Sequence, residues 1–326
     1  MYLSMVVFEE CLAEYHPRMT GHSDLIKIKF MGVQEAMEGQ EYLPDHMLLE
    51  HVEYFVSHPV PAAWGCLCIG EPPEDLFKNN ICLIFPENTD RTSLYHDVQK
   101  IFFLYNSWEM EIRKAMQRNA TLEEMCNLCI PIFEKPIFIH DRNNELLAIA
   151  NEMAGQFSWQ YDETFDKYYL PLEILNTFKS SDEYHKTLHT YGAHVFSAKA
   201  TGYRTLYVNL RIEWVYVGRV CLDEIGTPIR KRDYELLEFF ADNIALAMQQ
   251  GMLLVSDVSN VLSILFKEMI DGKSYTKNQL AKPFSYYKWH IDDMFQCITI
   301  FCRKSDNAIH TATNLTHRLA NMFPNS

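Results

Sequence analysis

Apolar residues recur at alternating steps of four and three in two long segments, and this spacing predicts helices that each pack along one seam. In the first segment, from about residue 92 to residue 118, the seam residues are Leu94, Val98, Ile101, Tyr105, Trp108, Ile112 and Ala115. In the second, which begins at Thr227 or Asp233, they are Leu237, Phe240, Ile244, Ala247, Gly251, Leu254, Val258, Val261 and Leu265.

The second seam bears on how the chain assembles. Its 29 residues from Leu237 to Leu265 would form a helix about 43 Å long, which a small domain cannot cover alone. The pattern therefore predicts a homodimer through the long helices. The alternative is two separate helices, each packed in its own core and broken near Gly251.

Two predicted β-hairpins lie between the seam helices. The first is PIFIHDRNNELLAIANE (136–152), with turn residues at 141–144, and the second joins TLYVNLRI to VYVGRVCLDE around Glu213-Trp214. Residues 155–194, between the hairpins, are polar and aromatic, with helical turns expected near 170–178 and 183–189. The order helix, hairpin, insert, hairpin, helix predicts an antiparallel sheet with a pocket on one face, an arrangement suited to sensing.

Residues 1–90 have an α+β pattern. We expect a helix at 3–15, strands at 26–35 and 47–55, and two more strands in AAWGCLCIG and NNICLIF. Further on, Thr121 followed three residues later by Glu124 predicts a capping box at the start of a shorter helix.

Composition limits the function classes. Lys and Arg total 29 against 43 Asp and Glu, and the formal net charge of -14 argues against direct nucleic-acid binding. The first residues lack a basic signal-peptide region, and no stretch of about 18 uncharged apolar residues follows. We therefore expect a cytoplasmic protein that does not bind a membrane.

The nine cysteines lie mostly in apolar runs, which favours reduced core residues over a disulfide framework. Two pairs have a second interpretation. Cys126 and Cys129 form a CxxC that could be half a zinc site or a redox pair, but no second pair follows at ligand spacing. Cys66 and Cys68 share a face of a predicted strand, where core packing is again favoured.

The predicted ligand site lies between the sheet and the insert. Trp159 and Tyr161 supply aromatic walls, Arg204 and Arg211 could hold an anion, and Tyr207 lies on the strand between the two arginines. Alternation along this strand separates two sets of side chains. One set, Tyr207, Asn209 and Arg211, faces the ligand or water; the other, Leu206, Val208 and Leu210, faces the core.

Three alternatives compete with a sensor. His185, His189 and His194 could gather around a catalytic zinc if 185–189 is helical, although no catalytic signature, phosphate loop or GGDEF motif occurs. We therefore expect no catalytic residues, no metal and no cofactor. TKNQLAKPF (276–284) could be a DNA-recognition helix, but no second basic helix follows, and packing on the next strand is favoured. A ligand-free dimeric scaffold is a further possibility.

Four stretches, in order, resemble the GAF-like sensor region of PucR-type, or CdaR-like, bacterial transcriptional regulators. They are NSWEMEIRKAMQRNATLEEMCNL, PIFIHDRNNELLAIANE, YRTLYVNLRIEWVYVGRVCLDE and RDYELLEFFADNIALAM. LSILFKEMIDGK, followed by KNQLAKPFSYYKWHIDDMFQCITIFCR, is similar to the start of the GGDEF-like domain of such proteins. That resemblance implies an N-terminal α+β domain at 1–91, a GAF-like sensor domain with flanking helices at 92–250, and a linker helix with a truncated GGDEF-like domain at 251–326.

The same resemblance implies a function. The fold class would be α+β and multi-domain, with a GAF/PAS-like antiparallel sheet flanked by long helices. The chain would be the non-catalytic ligand-sensing and dimerisation region of a regulator that responds to a small-molecule effector. Such regulators complete the GGDEF-like domain and end in a helix-turn-helix, whereas this sequence stops at Asn325-Ser326. DNA binding is therefore expected only from a domain that this sequence lacks.

Overall fold

The computed structural model describes residues 1–21, 23–163, 166–212 and 215–249, and after them 265, 266, 268, 269, 272–277, 279, 280, 284, 289 and 290. The chain divides into two compact units, Met1–Val255 and Ser256–Ser326. The seam positions from Gly251 to Val261, the predicted strand at 295–302 and the predicted helix at 308–322 lie outside the described residues. In the second unit, Leu280 and Phe284 of TKNQLAKPF are buried in a small apolar cluster.

A mixed five-stranded sheet organises the N-terminal part of the first unit. Its order is β2-β7-β6-β5-β4, with β4 to β7 parallel and β2 antiparallel at one edge. The strands are β2 (Arg18–Thr20), β4 (Gly32–Glu35), β5 (His46–His51), β6 (Gly65–Ile69) and β7 (Ile81–Phe85), while β1 (Leu3–Ser4) pairs with β3 (Lys29–Phe30). β6 and β7 are buried on both faces, which explains their continuous apolar sequences.

Three predicted elements in this part have different bounds. The helix expected at 3–15 is a short strand followed by α1 (Met5–Cys11) and a 3₁₀ turn. The strand expected at 26–35 begins in a 3₁₀ helix (Ser23–Lys27) and continues as two short strands separated at Met31. The strand expected at 47–55 ends at His51, and α2 (Val52–Ser57) follows it directly. Short apolar runs fit a strand and a helix about equally well, so periodicity could not place these ends.

The first seam helix is present as α3 (Arg91–Gln117), which Asp90 caps by accepting a hydrogen bond from the backbone N–H of Ser93 at 2.8 Å. All its seam residues are buried in the main core of the first unit. The predicted capping box of Thr121 and Glu124 starts α4 (Leu122–Asn127), and α5 (Ile130–Phe133) follows. Cys126 and Cys129 are buried free thiols in this core, as predicted.

The second sheet is antiparallel, with the order β12-β13-β14-β8-β9. Its strands are β8 (Ile137–Asp141), β9 (Leu146–Ala150), β12 (Ala193–Phe196), β13 (Thr205–Ile212) and β14 (Val215–Asp223). The insert between β9 and β12 contains the hairpin β10 (Gln160–Asp162) and β11 (Lys167–Tyr169), then α6 (Leu172–Lys179) and α7 (Asp182–Thr187). Together with α8 (Lys231–Gln249), this sheet confirms the α+β fold class with an antiparallel sheet flanked by helices.

The two faces of this sheet have different coverings. Leu206, Val208 and Leu210 pack in the main core, to which α8 contributes Leu237, Phe240, Ile244 and Ala247. The opposite face carries Tyr207 and the insert. The described half of the second seam is therefore covered within the first unit, and a dimer would need other surfaces. Among the described residues, no helix is both long and apolar enough to cross a membrane.

Candidate functional site

A row of three polar side chains crosses the centre of the antiparallel sheet on the face that carries the insert. Arg219 of β14 lies opposite Asn209 of β13 on one side and opposite His140 of β8 on the other. Cross-strand partners project to the same face, so the three side chains are neighbours. Arg219 and His140 are buried, and Asn209 is half-buried.

Arg219 is 4 % exposed and is held by neutral partners. Its Nε donates a hydrogen bond to Asn209 Oδ1 at 3.1 Å, and its Nη2 donates one to Thr187 Oγ1 at 3.0 Å. The guanidinium carbon lies 4.6 Å from the ring centre of Tyr207 and 5.4 Å from that of Tyr184. Among the described residues, no carboxylate forms an ion pair with it. Cation–π contacts offset only part of the cost of burying a charge without a countercharge.

A cavity of about 40 Å³ lies beside this guanidinium, between the sheet and the insert. The sheet lines it with Phe138, His140, Phe196, Thr205, Tyr207, Arg219 and Cys221, and the insert and the loop after β12 add Phe157, Leu170, Phe178, Tyr184 and Thr201. This space holds about one water molecule, far less than the several hundred Å³ of a typical ligand pocket. A metabolite could therefore enter only if the insert moved away from the sheet.

Arg219 supplies the positive charge at this cavity, because the neighbouring His140 is neutral. Burial, and secondly the charge of Arg219, lower the pKa of His140 to about 3. His140 Nδ1 lies 2.7 Å from the carbonyl oxygen of Asp141, to which it donates as the neutral ring. Burial also raises the pKa of the Cys221 thiol well above its usual range, so this side chain is a poor nucleophile near neutral pH.

Side chains of β13 hold the end of α7 against the sheet. We call residues 187–190 the α7 turn. Asn209 Nδ2 donates to the carbonyl oxygens of Thr187 at 2.6 Å and Thr190 at 3.1 Å. The Tyr207 hydroxyl lies 3.2 Å from Thr190 Oγ1, and Arg211 Nη2 donates to the carbonyl oxygen of Leu188 at 2.7 Å. Side chains of β13 thus satisfy carbonyls that the helix end leaves open.

The insert is attached to the sheet at a second point by a buried carboxyl group. Asp223 accepts hydrogen bonds from Thr205 Oγ1 at 2.8 Å and from Gln156 Nε2 at 2.9 Å. Burial raises the pKa of Asp223 to about 6, against the opposing effect of these donors. The other amide atom of Gln156, Oε1, is buried and has no hydrogen-bond partner among the described residues.

The residues predicted from the sequence are dispersed over this domain. Tyr207 lines the cavity, and Trp159 packs on Phe138 with ring centres 5.3 Å apart. Tyr161 is exposed in the β10–β11 hairpin, where its hydroxyl donates to Asp166 at 2.6 Å. Arg204 is also exposed.

Both arginines predicted to hold an anion lie outside the cavity lining. The Arg204 Nε donates to Glu224 Oε2 at 2.6 Å, and the guanidinium is paired with this carboxylate in a bidentate manner. Arg211 lines a separate open groove of about 500 Å³ between β13 and α8, with its guanidinium carbon 4.7 Å from the centre of the Tyr191 ring. The charged residue of the cavity is Arg219 instead.

Sequence reasoning missed Arg219 and His140. An arginine inside the otherwise apolar VGRVCL is a visible signal, because Arg is seldom buried without a partner. Alternation also places Arg219 on the same face as Cys221. What the sequence does not provide is the register that brings Arg219 beside both Asn209 and His140.

The three-histidine alternative is not assembled as a metal site. His189 and His194 are exposed, and His194 Nε2 lies 2.9 Å from the carbonyl oxygen of Tyr191. Within the described part of the chain, no group of three or more His, Cys, Asp or Glu side chains has a geometry that could hold a metal ion.

Comparison with known proteins gives structural matches only. No protein-family model and no curated protein matches the chain. The cofactor-binding GAF domain of the nutrient sensor CodY from Clostridium difficile matches with 12% identity over 44% of this chain and 97% of that domain, at a TM-score of 0.32. The phycoerythrobilin-bound GAF domain of a cyanobacterial phytochrome has 9% identity over 44% of this chain and 94% of its own, at 0.34.

An enzyme is also among the structural matches. Free methionine-R-sulfoxide reductase from Neisseria meningitidis, in complex with its substrate, shares 13% identity over 49% of this chain and 92% of its own length, at a TM-score of 0.31. Likenesses this distant do not indicate a function.

Proposed function

We propose that the chain is the ligand-sensing region of a PucR/CdaR-like transcriptional regulator, with residues 92–250 as the sensor domain. The effector would bind between the antiparallel sheet and the insert. The resemblance of four sequence stretches supports the family, and the proposal includes a homodimer and DNA binding through a helix-turn-helix domain outside this sequence. The net charge of -14 is consistent with DNA contact by another domain.

The observation that supports ligand binding most directly is the buried Arg219 beside a cavity. Structural arginines that are buried are usually paired with a carboxylate, whereas this one contacts neutral oxygens and aromatic rings. A polar group converging on an aromatic cavity is a common feature of small-molecule sites. The indole Nε1 of Trp159, on the insert side, is a buried donor without a partner among the described residues.

A thermal-shift screen of the full chain tests this function. Purines, amino acids, sugar acids and aromatic acids would be added to the wild type and to Cys221→Leu, whose larger side chain would fill the cavity. At about 100 times its Kd, a ligand stabilises the folded state by about 2.7 kcal/mol, which should raise Tm by roughly 5 to 10 °C. We expect at least one class to do so for the wild type and to have little effect on Cys221→Leu.

Tyr168→Ala is the matched control, because Tyr168 is exposed in the same insert and does not line the cavity. This variant should respond to ligand as the wild type does. Failure of every compound class to shift the wild type would contradict the proposed function. A hit that raises Tm equally in Cys221→Leu would place the ligand elsewhere on the protein.

A further inference from the structure

We infer that the effector is a small organic carboxylate with an apolar body, and that its carboxylate replaces the Thr187 hydroxyl on Arg219. The inference rests on the proposed function and specifies the ligand class and the first structural response. Its basis is the arrangement of Arg219, the α7 turn and the aromatic lining of the cavity.

Charge balance selects the ligand class. Arg219 supplies one positive charge, and its planar guanidinium can donate two parallel hydrogen bonds to one carboxylate. The surrounding lining is largely apolar and aromatic, with Phe138, Phe157 and Phe178 among its residues. A monocarboxylate would be neutralised there, whereas a phosphate dianion would leave one negative charge buried without a partner. The apolar body of the ligand would pack among the rings.

Thr187 is the competitor for the guanidinium. Arg219 Nη2 now donates to Thr187 Oγ1, which in turn donates to the carbonyl oxygen of Tyr184 at 2.6 Å. A hydrogen bond from a guanidinium to a carboxylate is stronger than one to a neutral hydroxyl. A ligand carboxylate would therefore displace the hydroxyl, and the α7 turn would lose one of its attachments to the sheet.

A short stretch of backbone and one hydrogen bond join the α7 turn to α8. Two residues after the turn, Gly192 has a φ of +76°, and a Cβ there would lie 2.7 Å from Glu238 Oε1. The backbone N–H of Ala193 donates to the same oxygen at 2.7 Å. Because Glu238 lies on α8, movement of the α7 turn would alter a contact of the helix that precedes the C-terminal unit in the sequence.

The test compares carboxylates with their amides. Titration calorimetry of the full chain would use benzoate against benzamide and 3-methylbutanoate against 3-methylbutanamide, with inorganic phosphate as a third probe. We expect the wild type to bind at least one carboxylate at least about 10-fold more tightly than its amide, as a charge-assisted hydrogen bond predicts. Arg219→Met should lose this preference, and Lys186→Met, which removes an exposed cation next to Thr187, should keep it.

Thr187→Val tests the inference through a gain in carboxylate affinity, which a misfolded protein would not show. Removing the competing hydroxyl should increase carboxylate affinity, by roughly 3- to 10-fold, and leave amide affinity unchanged. Thr177→Val is the matched control, because Thr177 is exposed on α6 and its hydroxyl donates to the carbonyl oxygen of Glu173.

The inference would be overturned by no carboxylate binding, by equal affinity for acid and amide, or by a Thr187→Val variant with unchanged or weaker carboxylate binding. Preferential phosphate binding would also overturn it. A neutral ligand that raises Tm in the wider screen and fails to do so in Cys221→Leu would leave the sensor function standing while excluding the carboxylate. The two proposals can therefore fail separately.

Discussion

Asp223 is a buried carboxyl group whose protonation should influence how firmly the insert is attached. Its oxygens accept hydrogen bonds from Thr205 and Gln156, yet the buried Oε1 of Gln156 has no partner among the described residues. A protonated Asp223 could donate to that oxygen after rotation of the Gln156 amide. Protonation would thus replace an ionised buried group by a neutral one that satisfies an additional acceptor.

The sign of the pH effect follows from the direction of the shift. The pKa of Asp223 rises from 3.8 to about 6 on folding, so the folded state binds more protons than the unfolded state between these values. The stability contributed by this group is present at acid pH and is lost as pH rises toward 6. Asp223→Asn removes that loss, and asparagine can both accept from Thr205 and donate to Gln156.

We expect the free energy of unfolding of Asp223→Asn, relative to wild type, to increase by about 1 to 1.5 kcal/mol between about pH 5 and about pH 7.5. Urea denaturation at the two pH values measures it. Glu152→Gln, which removes an exposed carboxyl group near the same segment, should show no such change. Parallel pH profiles for wild type and Asp223→Asn would contradict the prediction.

At the residue scale, the sequence predicted faces better than contacts. Alternation correctly separated Tyr207 from Leu206 and Val208, because side-chain direction in a strand depends only on local geometry. It could not show that Arg204 is paired with Glu224, since that contact depends on the register between β13 and β14. The role of Arg219 was missed for the same reason.

The first turn of α8 is joined to the start of β8 by a buried ion pair. Lys135 Nζ lies 2.9 Å from Asp233 Oδ2 and donates to the carbonyl oxygen of Phe133 at 3.1 Å, and both charged side chains are fully buried. Asp233 Oδ2 also accepts from the backbone N–H of Arg230, which caps the helix start. This pair therefore fixes the start of α8, the helix whose Glu238 contacts the backbone next to the α7 turn.

Lys135→Met should be strongly destabilising, because it leaves the Asp233 carboxylate buried without its partner. We expect a loss of about 3 to 5 kcal/mol in the free energy of unfolding, measured by urea denaturation. The double variant Lys135→Met with Asp233→Asn should recover part of this loss. Lys114→Met, which breaks an exposed pair with Glu111 on α3, should change stability by less than about 1 kcal/mol. Similar losses for the two lysines would refute the assignment.

At the element scale, long periodic segments were predictable and short ones were not. The bounds of α3 and of the two hairpins agree with the sequence pattern to within about two residues, because many positions repeat the same signal. The β5–α2 junction carried only a few apolar residues, and tertiary packing decided where the strand ended. Seam spacing identified α3 as a helix but not what covers its seam.

For the whole molecule, the burial of the first seam and of the described half of the second changes where a dimer interface could lie. The seam residues of α3 and the described seam residues of α8 pack inside the first unit. On its opposite side, α3 exposes Phe103 by 75% and Met110 by 55%, seven residues apart and so on the same face, with Leu104 beside them. Exposed large apolar side chains grouped on one helix are typical of an interaction surface.

Light scattering of the full chain should give about twice 38.2 kDa at micromolar concentration, and Phe103→Glu with Met110→Glu should shift the chain toward the monomer. The physical reason is that two carboxylates would be buried without partners in the dimer. Val56→Glu with Met37→Glu is the matched control, since both residues are exposed apolar side chains in the N-terminal part of the first unit. A monomeric wild type would exclude the dimer at that concentration.

A second double variant separates the two possible interfaces. Val258→Glu with Val261→Glu alters the part of the second seam that lies outside the described residues, where the sequence spacing alone predicts contact between copies. If this variant is monomeric and Phe103→Glu with Met110→Glu remains dimeric, the interface is the C-terminal seam and the apolar face of α3 is free for another role. If the result is reversed, the copies meet through α3. Dissociation by both would indicate that each surface contributes to the dimer.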